Sequence, residues 1–77
     1  MLTKKEILAA LERDNNNRIK VYDCFDHLYI IGYDELNGVK YWNYCRDNST
    51  GRTIPVASLA EAIKEVAPVR IGYTYKH

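Results

Sequence analysis

Two glycine-bearing turn signals, Glu35-Leu36-Asn37-Gly38 and Asp47-Asn48-Ser49-Thr50-Gly51, bracket the eight residues Val39–Arg46. Glycine reaches positive φ without steric cost, so each cluster marks a place where an antiparallel chain reverses. The segment between them carries Tyr41, Trp42 and Tyr44, residue types that suit a pleated, half-buried surface. A strand with a hairpin at both ends is inside a sheet, and this commits the middle of the chain to antiparallel β structure. His27 to Tyr33 supplies the preceding strand, and Arg18-Ile19-Lys20-Val21-Tyr22 alternates with period two before it. Asp23 to Asp26 is a tight connection between those two. Downstream, Arg52-Thr53-Ile54 is a short strand running into Pro55, which has no N–H to donate and therefore fits an edge strand or a strand end and not a central strand.

Helix-period segments flank this block. Thr3 with Glu6 three residues later forms a capping box, and Ile7, Leu8 and Leu11 make one apolar stripe. The run Asp14-Asn15-Asn16-Asn17 ends that helix, because short amide side chains compete for backbone hydrogen bonds and tolerate left-handed φ. A second helix is capped by Ser58 with Glu61 at its third position; Leu59, Ile63 and Val66 line one face, and Pro68 stops it. Val69 to Tyr75 reads as a last strand. The expected order is α-β-β-β-β-α-β over one domain, residues 1–77. Its class is α+β, two-layer: a mainly antiparallel sheet of four to five strands with two helices on one face.

The hairpin register decides which side chains share the exposed face. A two-residue Asn37-Gly38 turn sets Leu36 opposite Val39. A type I turn with a glycine bulge sets Glu35 opposite Val39, Asp34 opposite Lys40 and Gly32 opposite Trp42. The second places unlike charges and an aromatic over a glycine across from each other, and it is the register expected here. In either case Lys40, Trp42, Tyr44 and Arg46 share a face, with Val39, Tyr41, Asn43 and Cys45 on the other.

Composition limits the functional classes. At 77 residues with a net charge of +1, the chain is a single small domain and not a strongly basic DNA binder. Its 47% hydrophobic and 27% charged residues are those of a globular protein. Met1-Leu2 is followed directly by Thr3-Lys4-Lys5-Glu6 with no apolar leader, which points to the cytoplasm. Cys24 and Cys45 are too few for a disulfide framework and are expected as reduced thiols. The Asn48-Ser49-Thr50 sequon is then a chance match.

The near-zero charge conceals segregation: residues 23–36 carry −4, whereas 1–22 carry +2 and 37–77 carry +3. Asp23, Asp26, Asp34 and Glu35 thus form a candidate acidic patch able to steer a charged partner. The principal candidate surface is Lys40, Trp42, Tyr44 and Arg46, joined by Arg52 from the neighbouring strand. Trp, Tyr and Arg dominate protein-interaction hot spots, and the same mixture can stack bases and track phosphates. Seven tyrosines against one phenylalanine supply rings suited to a half-wet surface, Tyr73 and Tyr75 among them.

Catalytic motifs are missing: there is no phosphate loop, HExxH, GxSxG or CxxC. Asp23-Cys24-Phe25-Asp26-His27 gathers ligand types but lacks zinc spacing, and neither Cys45 nor His77 completes it, so no metal or cofactor is expected. Cys24 and His27 on a continuous strand would face opposite ways and make no nucleophile–base pair. The leading expectation is a small non-enzymatic protein-interaction module, an adaptor or inhibitor that occupies a partner's surface. The competing one is a nucleic-acid-binding domain using the aromatic and basic sheet face. The edge left by Arg52-Thr53-Ile54 offers a route to a homodimer.

Overall fold

Thr3 opens the first helix as the spacing predicts. Its hydroxyl accepts from the Glu6 amide at 3.2 Å while the Glu6 carboxylate accepts from the Thr3 amide at 3.0 Å, closing the capping box. The Thr3 bonds hold the Glu6 carboxyl below its usual pKa. The structure, a computed structural model, describes residues 1–47 and 52–72. Its elements are α1 (Lys4–Arg13), β1 (Arg18–Tyr22), β2 (Leu28–Leu36), β3 (Val39–Arg46), β4 (Ile54–Val56), α2 (Leu59–Val66) and β5 (Arg70–Ile71). The architecture is α+β, with the expected order α-β-β-β-β-α-β. All five strands pair antiparallel in the order β4-β3-β2-β1-β5, which places the last strand beside the first.

The hairpin does not take the bulged register. Asn37 and Gly38 both have positive φ, 53° and 79°, and Leu36 pairs with Val39 across a two-residue turn. Two left-handed residues give the turn a twist that matches the twist of its strands, so no bulge is needed. Lys40 therefore faces Glu35, Trp42 faces Tyr33, and Tyr44 faces Ile31. In this register Ile19 and Val21 of β1, Tyr29, Ile31 and Tyr33 of β2, and Trp42 and Tyr44 of β3 fall on one face, which the helices cover. Ile7, Ala10 and Leu11 of α1 and Leu59, Ala62, Ile63 and Val66 of α2 pack on Ile19, Val21 and Ile31, and Tyr29, Tyr33, Trp42, Tyr44, Val56 and Ile71 close the margins. Each fully buried Ile or Val contributes about 1.5–3 kcal/mol.

Three boundaries differ from the sequence expectation. β2 starts at Leu28 and runs on to Leu36, because the two-residue turn lets pairing continue to the hairpin tip. β4 is Ile54–Val56 and contains Pro55. Pro55 lies opposite Asn43, between the Trp42–Val56 and Tyr44–Ile54 pairs. Having no N–H, it can occupy only a position whose backbone groups point away from β3, and so it removes a donor from the sheet edge. The Ala57 amide, two residues on, donates to the Glu61 carboxylate at 2.8 Å. An edge without those donors is poorly furnished for pairing with a second copy. Residues 48–51 of the expected Asp47–Gly51 hairpin loop lie outside the described residues, and among those described β5 is Arg70–Ile71, against the expected Val69–Tyr75. The Val69 and Gly72 amides extend its pairing by donating to the Tyr22 and Lys20 carbonyls, both at 2.8 Å, and Tyr73 and Tyr75 lie outside the described residues.

Two backbone positions constrain the fold tightly. A Cβ on Gly32 would sit 2.4 Å from the Asn17 carbonyl oxygen and 2.9 Å from Arg18 Cγ, so only glycine lets the start of β1 close on β2. Ala67 ends α2 at φ 51°, a conformation that penalises a side chain. Gly32→Ala is expected to lower stability by about 1–3 kcal/mol through overlap with backbone. Ala67→Gly is expected to raise it by about 0.5–1 kcal/mol. Urea unfolding midpoints of the two variants measure both effects.

Candidate functional site

The asparagine run that ends α1 also lines a concavity among the described residues. Asn15 turns the chain at φ 49°, and its amide donates to the Glu12 carbonyl at 3.1 Å. The Asn16 side-chain oxygen accepts from the Asn17 amide at 2.8 Å. Asn17 then clamps β2 on both sides of one residue: its side-chain amide donates to the Tyr33 carbonyl at 2.8 Å, and the Tyr33 amide donates to its carbonyl at 3.0 Å. The helix ends here while the β2–β3 hairpin runs on past it, leaving an open groove of about 690 Å³ between them. Leu8, Leu11, Glu12 and Asn15 line one wall. They are spaced i, i+3, i+4, i+7, one stripe of a helix. Tyr33 and Lys40 line the other wall.

Aromatic packing sets the shape of the strand wall. Tyr33 and Trp42 meet edge-to-face with centroids 5.1 Å apart, and the Lys40 ammonium lies 4.2 Å above the Tyr33 ring and 5.9 Å from that of Trp42. Both contacts are attractive, the first through the ring quadrupoles and the second through cation–π electrostatics. Although Glu35 is the cross-strand partner of Lys40, no ion pair joins them; the ammonium is drawn over the rings instead.

The five residues of the aromatic and cationic stripe are therefore divided. Lys40 lines the groove and Trp42 backs its Tyr33 wall. Tyr44 lies half-buried against the core, where burial raises its phenol pKa and the carboxylates of Glu65 and Glu61 on α2 add to the effect. Arg46 stands at the opposite end of β3, in a cleft of about 300 Å³ with Asp26, His27, Leu28 and Asp47. Arg52 is exposed and precedes β4.

The four acidic residues are divided too. Asp23 and Asp26 sit at the connection before β2, while Asp34 and Glu35 sit near its other end, so they form no single patch. Asp34 is committed to structure: it pairs with Arg18 at 2.9 Å and accepts from the buried Asn43 side chain at 2.8 Å. Of the groove residues only Lys40 was a sequence candidate; Leu8, Leu11, Glu12, Tyr33 and the three asparagines were not. Leu8, expected on the core stripe, is 40% exposed on the groove wall.

The Asp23–His27 connection is a structural turn. Asp23 accepts from the Phe25 amide at 2.9 Å and the His27 amide at 2.8 Å, and its second oxygen lies 3.3 Å from His27 Nδ1. Burial pushes the Asp23 pKa up, but those amides and the imidazole together outweigh it and hold the carboxyl below its usual range. Cys24 is exposed on this turn and Cys45 is buried; both thiols are free. Burial pushes the Cys45 thiol pKa up. Among the described residues, no group of three or more His, Cys, Asp and Glu side chains is placed to hold a metal. No described helix is long and apolar enough to cross a membrane. No protein-family model, curated protein or solved structure matches the chain.

A carboxyl with a depressed folded pKa stabilises the native state above its unfolded pKa, near 3.9, and that stabilisation is lost as pH falls through the folded value. Acid unfolding below about pH 4 is therefore expected to depend on Asp23. Asp23→Asn keeps an oxygen for the two amides but cannot titrate. Its unfolding midpoint, followed by circular dichroism from pH 6 to pH 2, is expected to fall less steeply than that of the unmodified chain.

Proposed function

We propose that this chain is a small, non-enzymatic protein-interaction domain that acts as an adaptor or inhibitor by occupying a partner's surface. The observation that carries the reading is the groove between α1 and the β2–β3 hairpin. It combines the apolar Leu8, an aromatic pair, polar asparagines and the charged Glu12 and Lys40 in one concave surface. The hairpin beyond it adds apolar area on its other face, since Leu36 and Val39, paired across the turn, are 65% and 66% exposed, with Tyr41 beside them. Exposed apolar side chains clustered beside aromatic anchors are what a protein contact uses.

Charge pairing favours a protein partner over a nucleic acid. On the helix-free face of the sheet, Arg18 pairs with Asp34 at 2.9 Å, Lys20 with Asp47 at 3.6 Å and Arg70 with Asp26 at 2.9 Å. A phosphate backbone releases its condensed counterions when unneutralised Lys and Arg side chains take their place, and here carboxylates of the same chain already hold these three cations. Trp42 and Tyr44 lie on the helix-covered face, packed against the core, and offer no open stacking platform.

Leu8→Glu tests the reading, because Leu8 is exposed on the groove wall and helix formation tolerates glutamate. Affinity capture from host lysate is expected to retain a protein with the unmodified chain and to lose it with Leu8→Glu, both chains showing the same circular dichroism. Equal capture by the two chains, or retention of nucleic acid that salt releases, would overturn it.

A further inference from the structure

Resting on the reading that the groove is the contact surface, we infer that its occupant is a peptide segment of the partner. Its apolar side chains are flanked by one acidic and one basic residue. Charges on the two sides of the sheet are answered differently. The helix-free face neutralises Arg18, Lys20 and Arg70 with carboxylates. The groove does the reverse. Among the described residues, the Lys40 ammonium on its strand wall has only the Tyr33 and Trp42 rings as partners, and the Glu12 carboxylate on its helix wall has none.

These two unlike charges border the same cavity without pairing to each other. Between them Leu8 and Tyr33 supply apolar surface over the buried Leu11, beside the polar side chains of Asn15, Asn16 and Asn17. A segment with the complementary order of groups satisfies all three features at once. Its carboxylate meets Lys40, its apolar side chains cover Leu8 and Tyr33, and its cation meets Glu12. The rings hold the Lys40 ammonium in position before the partner arrives, which lowers the ordering cost of that pair. Like charge placed against either wall is repelled, so the groove selects by exclusion as well as by attraction.

The chain's single tryptophan, Trp42, packs on the groove's Tyr33 wall and reports occupancy by fluorescence. Three synthetic hexapeptides with a Leu-Phe centre and blocked ends serve as probes. One is flanked by Asp and Lys, one by Asp on both sides, and one by Lys on both sides. The unmodified chain is expected to bind the mixed peptide roughly five-fold more tightly than either of the others, the scale of one exposed ion pair gained in place of a repulsion. Lys40→Glu makes both walls acidic and is expected to move the preference to the Lys-flanked peptide. Glu12→Lys makes both walls basic and is expected to move it to the Asp-flanked one.

Equal binding of the three peptides, or preferences that neither substitution moves, would overturn the assignment of partner chemistry. Failure of all three peptides while Leu8→Glu still abolishes protein capture would also overturn it, and would leave the groove itself standing as the contact. If Leu8→Glu leaves capture unchanged, the groove reading falls and this inference with it.

Discussion

The turn at Asn37-Gly38 is the constraint on which the rest of the structure depends. Two consecutive left-handed residues fix Leu36 opposite Val39, and from that one pairing every other cross-strand neighbour of β2 and β3 follows. A shift of one residue would turn Ile31, Tyr33, Trp42 and Tyr44 away from one another, splitting the apolar set between two faces. In the register adopted they lie together, and with Ile19 and Val21 they provide the surface on which both helices pack. Side-chain packing and turn geometry therefore favour the same register. The bulged alternative satisfied a charge pair between Asp34 and Lys40 but at the expense of this apolar face, and an exposed ion pair is worth less than a core.

Electrostatics follows from the same register. With Asp34 turned to the helix-free face, it meets Arg18 and the side chain of Asn43, and the cations of that face are neutralised within the chain. Lys40 is turned to the other face, past the end of α1, where rings and not a carboxylate are nearest. One side of the sheet thus carries ion pairs, and the other carries a groove in which the Lys40 ammonium meets rings. The segregation visible in the linear charge pattern does not survive as an acidic end. Its members are distributed between a turn, an ion pair on the sheet and the hairpin arm.

Local signals were legible wherever the cause was local. Thr3 with Glu6 marked the start of α1, Ser58 that of α2 and Pro68 its end, because caps and breakers act within a few bonds. Pro55 at an edge was legible for the same reason. The extent of β2 and the parity of the hairpin were not, since two turn geometries fit the same four residues and differ only in what they place in the core. Lys40 and Trp42 could be singled out by residue type. Tyr33 could not be joined to them without the register, nor Leu8 moved from core to groove without knowing that the hairpin outruns the helix.

What the sequence determined alone is the element order, the caps, the site of the Asn37-Gly38 turn and the sharing of one face by Lys40, Trp42, Tyr44 and Arg46, because each depends on residues close in the chain or on strict period-two alternation. Only the tertiary structure decided which face the helices cover, and that division separates Lys40 and Trp42 at the groove from Tyr44 against the core and Arg46 at the far end of the strand. The physical reason is that burial is collective. A side chain is core or surface according to the apolar area that all five strands and both helices can jointly remove from water, and no segment contains that information by itself.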